Sequence, residues 1–128
     1  MNIAGQFASL SYAQRLKVGC IIVKDGRIIS FGYNGMPSGW ENKCEYSDGE
    51  NLVTRQEVLH AETNAISKLA RSTESGEGAT MFVTHSPCIH CAKIIYQSGI
   101  KALFYGEDYR DSSGVDFLKQ SEIKVTKI

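Results

Sequence analysis

The chain has 128 residues, 14 basic and 14 acidic, with four cysteines and two prolines. At roughly 100–200 residues per domain this is one domain around one core. A composition of 42% apolar and 22% charged residues is that of a folded globular chain and excludes disorder. A formal net charge of zero argues against a polynucleotide partner, since proteins that neutralise many phosphates ordinarily carry a basic excess. The longest apolar run, residues 20–23, is far short of the ~18 residues of a membrane helix. No basic stretch precedes an apolar one at the N-terminus, so the expected compartment is the cytoplasm, where thiols stay reduced. Cysteines there are expected to be ligands or core residues, not disulfides.

In chain order, Ile3, Phe7, Leu10 and Ala13 recur at helical spacing and predict a short amphipathic helix over residues 2–16. Residues 18–23 and 27–31 read as a β-hairpin, with Asp25-Gly26 supplying the turn chemistry. Residues 32–57 show no periodicity and are rich in glycine, which predicts a long loop; loops of that length tend to be functional. A helix is expected over 60–71, with Ala61, Ala65, Ile66 and Leu69 on one side. A buried strand (80–84), a helix (88–98) stopped by Gly99, a strand (102–105), a short helix (115–120) and a last strand (123–126) follow. The order is α-β-β-α-β-α-β-α-β. Strand–helix–strand alternation after the hairpin implies parallel pairing through right-handed crossovers. The expected fold is a three-layer α/β/α sandwich around a five-stranded mixed sheet, built by a single domain spanning residues 1–128.

Two short segments carry chemistry: His60-Ala61-Glu62 and Pro87-Cys88-Ile89-His90-Cys91. Each opens a predicted helix. One imidazole and two thiolates form a soft donor set that suits Zn2+, and three protein ligands leave a fourth position open. Helix N-termini help to keep Cys88 and Cys91 deprotonated. Glu62, two residues after the histidine, is not needed as a ligand and can carry protons beside a metal-activated water. H-x-E followed by P-C-x-x-C is the signature of zinc nucleobase deaminases, and the chain matches it. A CxxC by itself also suits a redox pair or half of a structural zinc site. A structural site would take a fourth ligand from Cys20, Cys44, His85 or His90.

The stretches HAETNAI, TMFVTHSPCIHCAKII and GYNGMPSG together resemble the deoxycytidylate (dCMP) deaminases of the cytidine deaminase superfamily, over about residues 17–125. The HAE and PCxxC elements are shared across the superfamily; GYNG-x-P-x-G and the run from Cys91 to Lys101 discriminate within it. The resemblance implies that His60, Cys88 and Cys91 bind one zinc ion. It implies that an activated water attacks C4 of cytosine while Glu62 moves protons, giving dUMP and ammonia. It also implies that the Ala61 N–H meets the pyrimidine O2, that the Ser86 carbonyl receives the exocyclic amine, and that Asn34 contacts the deoxyribose. Candidates for the 5′-phosphate are Lys17, Arg15 and Tyr109. Plain solvated surface groups are the alternative reading of these three.

Members of this family are commonly homohexamers activated by dCTP and inhibited by dTTP with Mg2+. The resemblance makes Tyr33, Asn34 and Gly35, with Arg27 or Lys24 as phosphate partners, candidates for a regulatory nucleotide site. Gly32 and Gly35 also have a simpler explanation as turn residues with positive φ. Arg71 ends the first catalytic helix, as a dipole partner or near a subunit contact. Some relatives carry a second, structural zinc, and Cys44 resembles one of its ligands. Glu50 and Thr54 stand where histidines would be wanted, so Cys44 is expected to be a free thiol. Cys20 is expected in the core, His90 in solvent, and Trp40 in a packed loop or interface. His85 is expected either at the mouth of the site or as a strand cap.

Overall fold

The computed structural model describes residues 1–128. The elements are α1 (Asn2–Ala8), β1 (Gly19–Lys24), β2 (Arg27–Tyr33), β3 (Glu45–Ser47), β4 (Leu52–Thr54), α2 (Ala61–Ala70), β5 (Thr80–His85), α3 (Ile89–Gln97), β6 (Ala102–Glu107), α4 (Ser113–Gln120) and β7 (Lys124–Lys127). Five strands form one mixed sheet in the order β2-β1-β5-β6-β7. β1 is antiparallel to β2 and β5, whereas β5, β6 and β7 run parallel. The antiparallel hairpin followed by crossover-linked parallel strands is the arrangement the sequence implied. Asp25 and Gly26 take φ values of 52° and 76°, the two positive dihedrals that a two-residue hairpin turn requires.

Adjacent strand residues point to opposite faces of a sheet. Cys20 and Ile22 of β1, Met81 and Val83 of β5, and Leu103 and Tyr105 of β6 point to one face. There they form the core with Ala61, Ala65 and Leu69 of α2, Ala92 and Ile95 of α3, and Val115 and Leu118 of α4. Gly19 faces the other way, against α1: a Cβ on it would lie 2.1 Å from the Ala4 oxygen and 2.4 Å from the Ala8 nitrogen. The second helical layer is therefore α1 alone, seven residues long.

That close approach explains where the N-terminal expectation failed. The helix ends at Ala8 instead of continuing to residue 16, and its buried side chains are Ala4 and Ala8. Ile3 and Leu10 are exposed. A helix pressed backbone-first onto a strand glycine has room only for small residues, so the large side chains turn outward. Gly32 likewise has no positive φ; it sits in β2 because a Cβ there would meet the Ala61 oxygen at 2.3 Å and the Ala65 nitrogen at 2.7 Å. Gly35 also lacks a positive φ, so neither residue is a turn glycine.

The expected loop over 32–57 contains a second hairpin, β3–β4, pairing Glu45 with Thr54 and Ser47 with Leu52. Its turn is organised by Asp48, whose Oδ1 accepts the N–H groups of Glu50 and Asn51. Asp48-Gly49 is the same turn signal as Asp25-Gly26, but it stands between strands of three residues, too short to show alternation. Trp40, expected in a packed loop or at an interface, is not packed within this chain, where it is exposed.

Candidate active site

His60 and Cys88 occupy equivalent places, the N-cap positions of α2 and α3, both with extended backbone and neither making a side-chain cap hydrogen bond. An N-cap side chain ordinarily bonds the first-turn N–H groups; here the imidazole and the sulfur are free to point at one another. Cys91, one turn along α3, brings its sulfur to the same side. The ligand atoms of His60, Cys88 and Cys91 all lie within 4.8 Å of one another. His60 Nδ1 is 3.5 Å from Cys88 Sγ and 3.3 Å from Cys91 Sγ. Tetrahedral zinc, with Zn–S about 2.3 Å and Zn–N about 2.0 Å, sets its sulfur and nitrogen ligands about 3.5 Å apart. The donor set and its spacing fit zinc, with one coordination position left over.

The three groups are electrostatically linked, and Cys88 is the one held as a thiolate. The Cys88 thiol is held down to about 3, first by hydrogen bonding from Cys91, against the upward push of burial, and then by hydrogen bonding with His60. Cys91, the donor in that pair, is pushed up by the same bond and then by burial. His60 is raised, chiefly by its bond to Cys88. Thr63 Oγ1 lies 3.5 Å from Cys91 Sγ, a second contact to that sulfur. Glu62, the second residue of α2, is 4% exposed. Burial lifts its carboxyl from 4.5 to about 7 against the lowering pull of its own backbone and of His60. A carboxyl poised near neutrality can both take and return a proton.

These groups open into a cavity of about 450 Å³. His60, Ala61, Glu62, Ser86 and Cys88 line it together with Arg15, Asn34, Glu45, Thr54, Tyr109 and Arg110. Ala61 is the first residue of α2, so its N–H has no intrahelical acceptor. Ser86 is buried; its N–H donates to the Glu107 carbonyl and its Oγ accepts the Tyr109 N–H at 2.6 Å.

Residues 1–107 match the family described as the cytidine and deoxycytidylate deaminase zinc-binding region. The chain belongs to that family. It is a deaminase, a hydrolase acting on a carbon–nitrogen bond. It is 37% identical to the deoxycytidylate deaminase of Enterobacteria phage T4 over 152 aligned residues, covering 88% of this chain and 79% of that protein. It is 36% identical to the deoxycytidylate deaminase of Saccharomyces cerevisiae, covering 98% of this chain and spanning 42% of the yeast protein. A solved structure of dCMP deaminase from the cyanophage S-TIM5, in complex with dCMP and dUMP, superposes with a TM-score of 0.94 at 45% identity, covering 99% of this chain and 92% of that one.

Within this deaminase the other sequence candidates divide. Arg15 and Tyr109 line the cavity, whereas Lys17 is exposed and does not; its neighbours Leu16 and Val18 do. Asn34 lines the cavity too, but its amide already clamps the 16–18 segment. Its Oδ1 accepts the Val18 N–H at 2.9 Å and its Nδ2 donates to the Leu16 carbonyl at 2.7 Å. One lone pair and one N–H remain for a ligand.

The five regulatory candidates do not come together within the chain. Tyr33, Asn34 and Gly35 lie at the end of β2, where Gly35 bridges Leu59. Lys24 and Arg27 flank the turn at its start, Lys24 donating to the Ser75 carbonyl and Arg27 paired with Glu74 at 2.9 Å. A strand rises about 3.3 Å per residue, which separates Arg27 from Tyr33 by about 20 Å.

Among the cysteines, Cys20 lies in the core, and Cys44 is buried without a disulfide partner. His90 is exposed. His85 lines the cavity, its Nε2 3.2 Å from Glu107 Oε2.

Glu45, Arg110 and Gly114 escaped sequence reasoning. Arg110 lines the cavity with its guanidinium 5.8 Å from the Tyr109 ring and makes no ion pair. Its only signal was its place beside Tyr109. Gly114 of α4 packs against the ligand loop: a Cβ there would lie 2.1 Å from the Pro87 oxygen and 2.8 Å from the Cys88 oxygen. Nothing in the sequence near Gly114 points to the metal centre.

Proposed function

We propose that this deaminase hydrolyses dCMP to dUMP and ammonia. The observation that carries this is the presence of two arginines that make no ion pair, Arg15 and Arg110, in the cavity lined by His60, Cys88 and Glu62. Arginine forks are suited to phosphate, and a neutral nucleoside would have no use for them. The likeness to the dCMP- and dUMP-bound cyanophage structure supports the same substrate.

His60, Cys88 and Cys91 would hold one Zn2+ per chain, which supplies Lewis-acid activation of a water when bound. The cytosine ring lies with O2 on the Ala61 N–H and its exocyclic amine on the Ser86 carbonyl. Glu62 takes a proton from the attacking water and delivers it to N3. As C4 passes through its tetrahedral state, Glu62 transfers the second proton to the departing amine. The C4–N bond breaks, ammonia leaves and the C4 carbonyl forms. Asn34 reaches the deoxyribose with its remaining capacity, and Tyr109 stands with the two arginines at the phosphate.

To this reading belong a cytoplasmic location, a homohexamer, and regulation by dCTP and by dTTP with Mg2+, supported by resemblance in the Tyr33-Asn34-Gly35 stretch. The separation of Lys24 and Arg27 from that stretch means that a phosphate partner beside Gly35 comes from another segment or from another subunit.

Ammonia release from dCMP and from deoxycytidine, compared side by side, tests the reading. A kcat/KM for dCMP at least tenfold higher is expected. Preference for the unphosphorylated nucleoside overturns the nucleotide assignment, and absence of turnover on both favours a structural zinc module.

A further inference from the structure

Four carboxylates line the cavity: Glu45, Glu62, Glu107 and Asp108. Glu62 is committed to proton transfer. Glu107 faces the His85 ring at 3.2 Å. Asp108 holds the Lys127 ammonium at 2.6 Å and accepts the Tyr105 hydroxyl at 3.2 Å. Glu45 differs from these: its Oε2 accepts the backbone N–H groups of Gln14 at 2.8 Å and Arg15 at 3.1 Å, and it has no ion-pair partner. Two amides orient a carboxylate without cancelling its charge. Glu45 is thus an oriented negative charge on the cavity wall, held at the base of β3 against the segment that carries Arg15. The Arg15 guanidinium itself bonds Thr54 Oγ1, across β4, at 3.1 Å.

The charges can be balanced. Two guanidiniums, Arg15 and Arg110, match the charge of one phosphate monoester, close to −2 at neutral pH. Every further phosphate brings negative charge with no spare cation in the cavity and against the Glu45 carboxylate on its wall; Glu107, whose side chain is 78% exposed, is better screened by solvent. We propose that Glu45 is a specificity-determining residue that confines the substrate to a nucleoside monophosphate and rejects the di- and triphosphates. This rests on the nucleotide reading above. It adds that exclusion comes from a repulsive group, a common route to specificity, and not from want of space alone.

Glu45→Gln is the decisive variant, because a carboxamide oxygen still accepts both N–H groups while the charge is gone. Deamination of dCMP, dCDP and dCTP is measured in separate reactions, together with the melting temperature. The expected result is that kcat/KM for dCDP and dCTP, relative to dCMP, rises by about tenfold. Glu45→Ala should raise the same ratio while also lowering the melting temperature, since it loses the latch to residues 14 and 15; it serves as well should the glutamine variant fold poorly. High salt should narrow the wild-type discrimination. An unchanged ratio in both folded variants overturns the proposal and leaves Glu45 as a latch only. Wild-type protein that accepts dCTP as well as dCMP overturns it too. Wild-type protein that prefers deoxycytidine overturns the nucleotide reading instead, so the two failures are distinguishable.

Discussion

The two sides of the cavity are made differently. The metal side is built from the N-termini of α2 and α3, whose ligands sit at N-caps over the main core, with Glu62 and Cys91 buried. The opposite side is the irregular 11–18 segment, the β3–β4 hairpin and the residues after β6. It is tied by a handful of polar contacts through Asn34, Glu45 and Arg15 and is largely exposed. The first side positions atoms for bond making, where misplacement by an ångström is costly. In the proposed function the second recognises the outer part of the nucleotide, where charge matters more than exact placement. Substitutions on the metal side should therefore act on turnover or metal retention, and those on the other side on discrimination between substrates.

The largest effect should come from Glu62→Gln, which removes the proton carrier without removing a ligand. We expect kcat to fall by about a thousandfold, with about one zinc per chain still found by metal analysis; loss of the zinc would show that Glu62 is itself a ligand. Gly114→Ala comes next. Its Cβ would collide with the Pro87 and Cys88 backbone, an overpacking cost of about 1–3 kcal/mol, and displaced Cys88 should release zinc on mild chelation. Gly5→Ala is the control, since a Cβ there meets nothing within 4 Å and should stabilise by up to about 1 kcal/mol. Both are read by thermal melting and zinc content.

On the other side, Arg110→Ala should raise the KM for dCMP by about tenfold while leaving deoxycytidine kinetics nearly as they were. Equal loss on both substrates would place Arg110 in the structure of the site and not at the phosphate.

The smallest effect concerns the rim. The Lys127 ammonium beside Asp108 holds that carboxyl below its ordinary 3.8. The contact therefore contributes stability above the ordinary carboxyl range and loses it as pH falls through the lowered value. Lys127→Ala should let Asp108 titrate closer to 3.8, as followed by NMR. No upward movement would mean that the pair does not persist in solution.

Legibility followed the same division. The H-x-E and P-C-x-x-C segments could be read because each is contiguous and each ligand's place follows from a helix start a residue or two away. The first hairpin could be read because Asp25-Gly26 lies between strands long enough to show their pattern. The N-terminal helix misled because burial there follows from contact with Gly19, which favours Ala4 and Ala8 over Ile3 and Leu10. The second hairpin was missed because three-residue strands carry no period. Of the phosphate candidates Arg15 and Tyr109 line the cavity and Lys17 does not, because proximity in sequence does not say which side chain meets the cavity.

Sequence by itself determined the chemistry: a soft three-ligand set, a nearby carboxyl and two helix starts are local features, and local geometry carries them into space. Tertiary structure alone decided what surrounds that chemistry. Glu45 reaches residues 14 and 15 across about thirty positions, Gly114 meets Cys88, and Arg15 enters the same cavity as Arg110. Those meetings depend on sheet order and on helices pressed against glycines, and no spacing along the chain encodes them.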